Sequence, residues 1–73
     1  MPELLLTQRQ VEILKLVVSG RSIKEIAHEL DLSGKTVEAH RAQIMRRLDI
    51  RNIPQLVLYA VRQGLITAGT QPD

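Results

Sequence analysis

Two capping boxes and two glycine stops, set close together in a chain of 73 residues, leave room for little but short helices joined by tight turns. Thr7 with Gln10, and Ser22 with Glu25, have the form in which each side chain satisfies a free backbone N–H at a helix start. Leu6 and Val11 flank the first box where a hydrophobic staple would close it. From Gln8 onward, Val11, Ile13, Leu14, Leu16, Val17 and Val18 predict a strongly apolar first helix, and Gly20 supplies a left-handed stop. The second helix is short, with Ile26, Ala27 and Leu30 on its inner face, and Asp31 and Leu32 form a tight break after it. Ser33 is an N-cap for a third helix running from residue 34 to about residue 48. Asn52 with Pro54 marks a fourth start, because proline is tolerated in a first turn where its missing N–H costs little. That helix runs to Gln63 and stops at Gly64. No stretch alternates as a strand would over more than a few residues. The expected fold is all-α, a four-helix bundle in one domain over residues 1–73, with a core at 5–66 and a flexible tail at 67–73.

Composition narrows the function classes. The chain has no cysteine, which excludes a disulfide framework, a thiol nucleophile and a Cys-ligated zinc site. No apolar run approaches the roughly 20 residues of a membrane-spanning helix. No signal peptide is expected, and the expected location is the cytoplasm, at the nucleoid. Below about 70–80 residues one core rarely supplies more than about 3–5 kcal/mol of net stability. A chain of this size must therefore be compact and largely helical, or lean on a partner.

The formal net charge of +2 is unevenly placed. Residues 1–32 sum to −1, whereas residues 33–72 sum to +4 through Lys35, Arg41, Arg46, Arg47, Arg51 and Arg62 against Glu38 and Asp49. A basic half on a small domain is an electrostatic footprint for a polyanion, although a solvated face of mixed charge gives the same count.

A short helix, a break of a few residues and a longer helix with a polar face form a helix-turn-helix pattern. At about 100° per residue, Val37, His40, Ile44 and Leu48 of the third helix face the core. The opposite side carries Lys35, Ala39, Ala42 and Arg46, flanked by Glu38 and Gln43. Two central alanines make this ridge low enough to approach the floor of the major groove of double-stranded DNA. The long polar side chains around them can reach base edges or phosphates. Phosphate contacts are expected at the helix ends. Ser22 and Ser33 open helices whose first N–H groups carry partial positive charge, and Lys24 and Thr36 lie within a turn of them. Arg47 and Arg51 are expected beyond the far end of the third helix, where they can clamp a neighbouring backbone segment. Arg41 borders the core, where its stem can pack while the guanidinium reaches water.

An enzyme is not expected. His28 and His40 lie on different helices without a Cys or Asp pattern beside them, so no metal site and no cofactor are expected. There is no glycine-rich phosphate loop, nucleophile–base pair or carboxylate dyad, and Glu25 with Glu29 makes a solvated helix face.

Taken together, Leu6-Thr7-Gln8-Arg9-Gln10, Ile13-Leu14, Gly20, Lys24-Glu25-Ile26-Ala27, Leu30, Leu32-Ser33 and Thr36-Val37-Glu38-Ala39-His40 resemble the LuxR-type (NarL/FixJ-like) helix-turn-helix. Ile44, Leu48, Ala60 and Gly64-Leu65 extend the resemblance over about residues 5–66. The run from Thr36 to Arg41 and the segment from Asn52 to Val57 look most like the FixJ-like response-regulator branch. The resemblance implies a bacterial DNA-binding domain whose third helix reads the major groove. It also implies a homodimer on a pseudo-palindromic site, joined through the last helix, and RNA polymerase as a further partner. Full-length members of the branch carry an N-terminal phosphoacceptor receiver domain, which these residues do not include. The chain is then either an excised output domain or a short regulator. Two positions depart from the family pattern: Ile23 stands where Asn is frequent, and Glu38 where a basic residue is frequent.

The last helix fits a dimer on its own terms. Ile53, Leu56, Val57 and Ala60 fill one face, leaving Leu58 and Tyr59 off it and Val61 at its edge. A helix apolar nearly all round wants a second buried surface. Two alternatives stay open: a helical interaction module that binds no DNA, and the promoter-reading end of a sigma-like factor.

Overall fold

Each helix begins where a side chain takes over an orphaned backbone N–H. The computed structural model describes residues 6–66, which form α1 (Gln8–Val18), α2 (Ile23–Leu30), α3 (Gly34–Leu48) and α4 (Ile53–Arg62). Thr7 Oγ1 accepts from the Gln10 N–H at 3.1 Å, and Gln10 Oε1 accepts from the Thr7 N–H at 3.3 Å. Ser22 and Glu25 close the second box at 3.1 and 2.9 Å. Ser33 and Asn52 cap α3 and α4 by accepting from the N–H groups of Thr36 and Gln55.

The helix ends are built alike. The N–H groups of Arg21, Leu32, Ile50 and Leu65 reach back to the carbonyls of Leu16, Ala27, Met45 and Ala60 at 3.1, 2.8, 2.9 and 2.8 Å. These are Schellman closures, which need a left-handed residue just before the closing N–H. Gly20 and Gly64 supply it at φ 95° and 74°. Asp31 and Asp49 supply it at φ 60° and 56°, a strained region for a residue with a Cβ. Their carboxylates also sit at the negative end of a helix dipole, which is unfavourable. The opposing gain is apolar: Leu32 and Ile50, which follow them, pack against the core.

The core is drawn from all four helices. Ile13, Leu14, Ile26, Val37, Ile44, Leu56 and Ala60 are fully buried. α1 lies at the centre and packs on each of the other three, while α3 also packs on α2. At the α2–α3 turn a Cβ on Gly34 would meet Ile23 Cγ2 at 3.8 Å, an ordinary contact, so the turn itself does not demand a glycine there. His40 and Leu48 are half-buried, as their wheel positions predict. His40 Nδ1 is sealed from water and has no hydrogen-bond partner among the described residues. Met45, which the wheel reading passed over, also packs on the core.

Two expectations for α4 need correction. Ile53 was placed on the inner face but is 39% exposed. Residues 51–55 are all exposed, because the first turn of α4 overhangs the edge of the core. Tyr59 was placed off that face, yet it is half-buried and packs against the cluster. The tail expected at 67–73 lies outside the described residues.

Candidate nucleic-acid interface

α3 presents the face that its sequence spacing predicts. Lys35, Glu38, Ala39, Ala42, Gln43 and Arg46 are all exposed, while Val37 and Ile44 anchor the opposite side at zero exposure. With about 1.5 Å of rise per residue, Lys35 to Arg46 span roughly 16 Å, the length of a few base pairs. Lys35 and Arg46 make no ion pair among the described residues, so their charges are available to an anion. Arg41 is half-buried at the border of the core, as its position on the wheel requires.

The two helix starts are not equivalent as phosphate anchors. At α2 the Glu25 carboxylate takes the Ser22 N–H at 2.9 Å. An acid therefore already occupies that N-terminus, and Ser22 acts as a cap more than as an anchor. Lys24 is exposed beside it, on the rim of a shallow groove of about 450 Å³ lined by Arg21, Lys24, Glu25, His28 and Glu29. Arg21 and Glu29 pair across this groove. At α3 no acid stands in the first turn. The Ser33 hydroxyl accepts from the Thr36 N–H at 3.1 Å and donates to Thr36 Oγ1 at 2.9 Å. The Thr36 hydroxyl, accepting in that pair, keeps its own proton as a donor not used in a hydrogen bond among the described residues. The N-terminus of α3 is thus the better anion site of the two, through Thr36 and the free N–H groups of the first turn.

Beyond the other end of α3, Arg51 is 85% exposed in its side chain and lies 3.9 Å from Asp49, which is as open. A pair this loose contributes little and yields readily to a phosphate. Arg47, expected beyond the helix, is instead exposed within the last turn of α3, because the helix continues to Leu48 before Asp49 ends it.

One contact escaped the sequence reading. Gln10 is only 2% exposed, and its Nε2 donates to Gln43 Oε1 at 2.9 Å, tying the start of α1 to the outer edge of α3. The available signal was chemical: a glutamine in a capping box, unlike a glutamate, has a donor left over once its oxygen is used. Nothing local says where that donor goes.

On α4, Leu58 is 47% exposed, whereas Tyr59 and Val61 are half-buried. With Ile53 they give the helix a discontinuous apolar outer surface.

A short helix leading by a tight turn into a longer one, which rests on a third helix and turns a basic, low-ridged face outward, defines a helix-turn-helix DNA-binding domain. The chain belongs to the LuxR family of bacterial regulatory proteins, whose model matches residues 4–60. It is 48% identical over 62 residues to the uncharacterized response regulatory protein YgeK of Escherichia coli strain K12, covering 85% of this chain and 42% of that protein. It is 45% identical over 65 residues to the oxygen regulatory protein NreC of Staphylococcus haemolyticus, covering 89% of this chain and 30% of NreC. The chain therefore spans less than half the length of these relatives. The fold matches the structure of the transcription factor GerE with a TM-score of 0.78 and 34% identity, over 89% of this chain and 97% of that one. It matches VqmA, from a Vibrio cholera VqmA–ligand–DNA complex, with a TM-score of 0.75 and 31% identity, over 89% of this chain and 28% of that one. The family is one of transcription regulators and not an enzyme class. Among the described residues no helix is long and apolar enough to cross a membrane.

Proposed function

We propose that the chain is the sequence-specific output domain of a bacterial response regulator, binding double-stranded DNA in the cytoplasm with α3 in the major groove. The observation that carries this reading is the exposed face of α3: Ala39 and Ala42 keep the ridge low, while Lys35 and Arg46 stand at its ends with no ion-pair partner among the described residues. Lys35, Glu38, Ala39, Ala42, Gln43 and Arg46 face the bases. Thr36 and the helix start at Ser33 hold phosphate, joined by Lys24, Arg47 and Arg51, while the start at Ser22, already taken by the Glu25 carboxylate, contributes least. The regulatory names of YgeK and NreC support the response-regulator assignment, with a receiver domain in the full-length protein and RNA polymerase as the downstream partner.

Two copies act together on a pseudo-palindromic site, meeting through Leu58, Tyr59 and Val61 of α4. The domain measures 31 × 29 × 24 Å. A body of this size is no wider than the roughly 34–36 Å between half-sites of helix-turn-helix dimers, so two copies have room side by side on one face of a duplex. Selection of bound duplexes from a random pool tests the reading. The expected product is a pair of inverted half-sites, bound with an affinity that falls steeply as salt rises. Failure to enrich any sequence, together with salt-insensitive binding to a protein partner, would turn the assignment toward an interaction module.

A further inference from the structure

The Gln10–Gln43 contact fixes which edge of an amide meets DNA. The Thr7 N–H is a backbone donor, so the Gln10 atom facing it at 3.3 Å must be the oxygen. The nitrogen of Gln10 is then the only atom left to meet Gln43, and a nitrogen that donates requires an oxygen opposite. The 2.9 Å bond from Gln10 Nε2 to Gln43 Oε1 follows from the cap and cannot be inverted without losing it. Gln10 is buried and has no room to exchange partners with water. Gln43 is exposed and belongs to the face of α3. An amide is planar, with oxygen and nitrogen on opposite edges. Holding the oxygen against α1 turns the NH₂ group outward.

We propose that Gln10 sets base preference without touching DNA, by locking Gln43 as a donor at the edge of the recognition face. The inference rests on the DNA-reading role of α3. A free glutamine pairs with adenine by accepting from N6 and donating to N7. A glutamine whose oxygen is already held loses that two-sided match. It favours guanine, which offers two acceptors at O6 and N7, and next thymine, which offers O4. It disfavours cytosine, whose major-groove group is a donor. Gln10→Glu reverses the lock. One carboxylate oxygen keeps the cap on Thr7, and the other accepts from Gln43, whose amide must turn over and present its oxygen to the base.

The test compares the whole wild-type chain with Gln10→Glu, Gln10→Met and Gln43→Ala, each first melted thermally to establish folding. A site selected by the wild type is then titrated with every base at every position. Wild type is expected to demand guanine or thymine at one position. Gln43→Ala should lose about tenfold in discrimination there and nowhere else, the scale of one good base contact. Gln10→Glu should move the preference at that position to cytosine or adenine. Gln10→Met, apolar and of similar bulk, frees the Gln43 amide to rotate and should broaden the preference; it keeps the test decisive if the buried carboxylate lowers the melt. If the wild type selects a site but folded Gln10 variants keep its base preferences unchanged, the lock is overturned and DNA reading stands. Selection of no site by the wild type overturns DNA reading, and the lock with it.

Discussion

Lys35 stands exposed in the first turn of α3 and has no ion pair to surrender among the described residues, so a DNA contact there adds to binding without breaking one of them. Lys35→Ala is expected to weaken specific binding by about 1–3 kcal/mol and to relax preference at one base pair. A mobility-shift titration measures this, and unchanged affinity removes the first turn of α3 from the interface. Arg51 behaves differently because it lies beyond the helix, loosely paired to Asp49 at 3.9 Å. Its loss in Arg51→Ala should weaken binding to every sequence alike and lower the slope of log K against log salt by about 1. A loss confined to one sequence would show that Arg51 reads a base. Glu38, exposed on the same face, is the acidic counterweight. It can accept from cytosine N4, and its charge can equally repel phosphate and lower non-specific affinity.

Helix starts and stops were legible because capping is local: the residues of each box sit three apart and meet whatever the tertiary fold does. The core face of α3 was legible for the same reason, since Val37 and Ile44 share a side of any helix. Packing across elements was not. Gln10 and Gln43 are 33 residues apart, and only the seating of α1 on α3 brings them together. Ile53 was misplaced because a wheel describes an endless helix, whereas the real α4 begins beyond the edge of the core. The left-handed conformations of Asp31 and Asp49 were also hidden, because a stop signal names glycine first. They yield an element-scale prediction. Asp31→Gly and Asp49→Gly each remove a strained Cβ and a carboxylate opposed to the helix dipole, against the greater backbone entropy of glycine. Each should raise stability by about 0.5–1 kcal/mol. A urea melt with unchanged slope checks this, and a loss would show that the carboxylates hold contacts worth more than the strain. Val37→Asp acts in the other direction, placing an unpaired charge at a site with zero exposure where α3 joins the core. Its thermal transition should disappear, and an intact melt would mean that α3 is seated in another register.

At the scale of the whole molecule the question is how so small a core supports a regulator. A single core of this size supplies only about 3–5 kcal/mol, and DNA bound at a hundred times Kd adds about 2.7 kcal/mol more. A second copy would add its own contribution through α4, and Leu58 isolates that term. It is 47% exposed, so replacing it disturbs the core little, while the buried Leu56 and Ala60 hold the helix to the rest of the domain. Leu58→Asp should therefore melt within a few degrees of wild type and bind a single half-site with unchanged affinity. On two half-sites it should lose cooperativity, because two aspartates would face one another across the two-fold contact. Sedimentation equilibrium, with and without DNA, and titration of single against paired half-sites give the two readouts. Normal cooperativity in a folded Leu58→Asp protein would move the contact off this part of α4. Lost half-site affinity as well would mean that the substitution had reached α3 through α1, the element that packs against both.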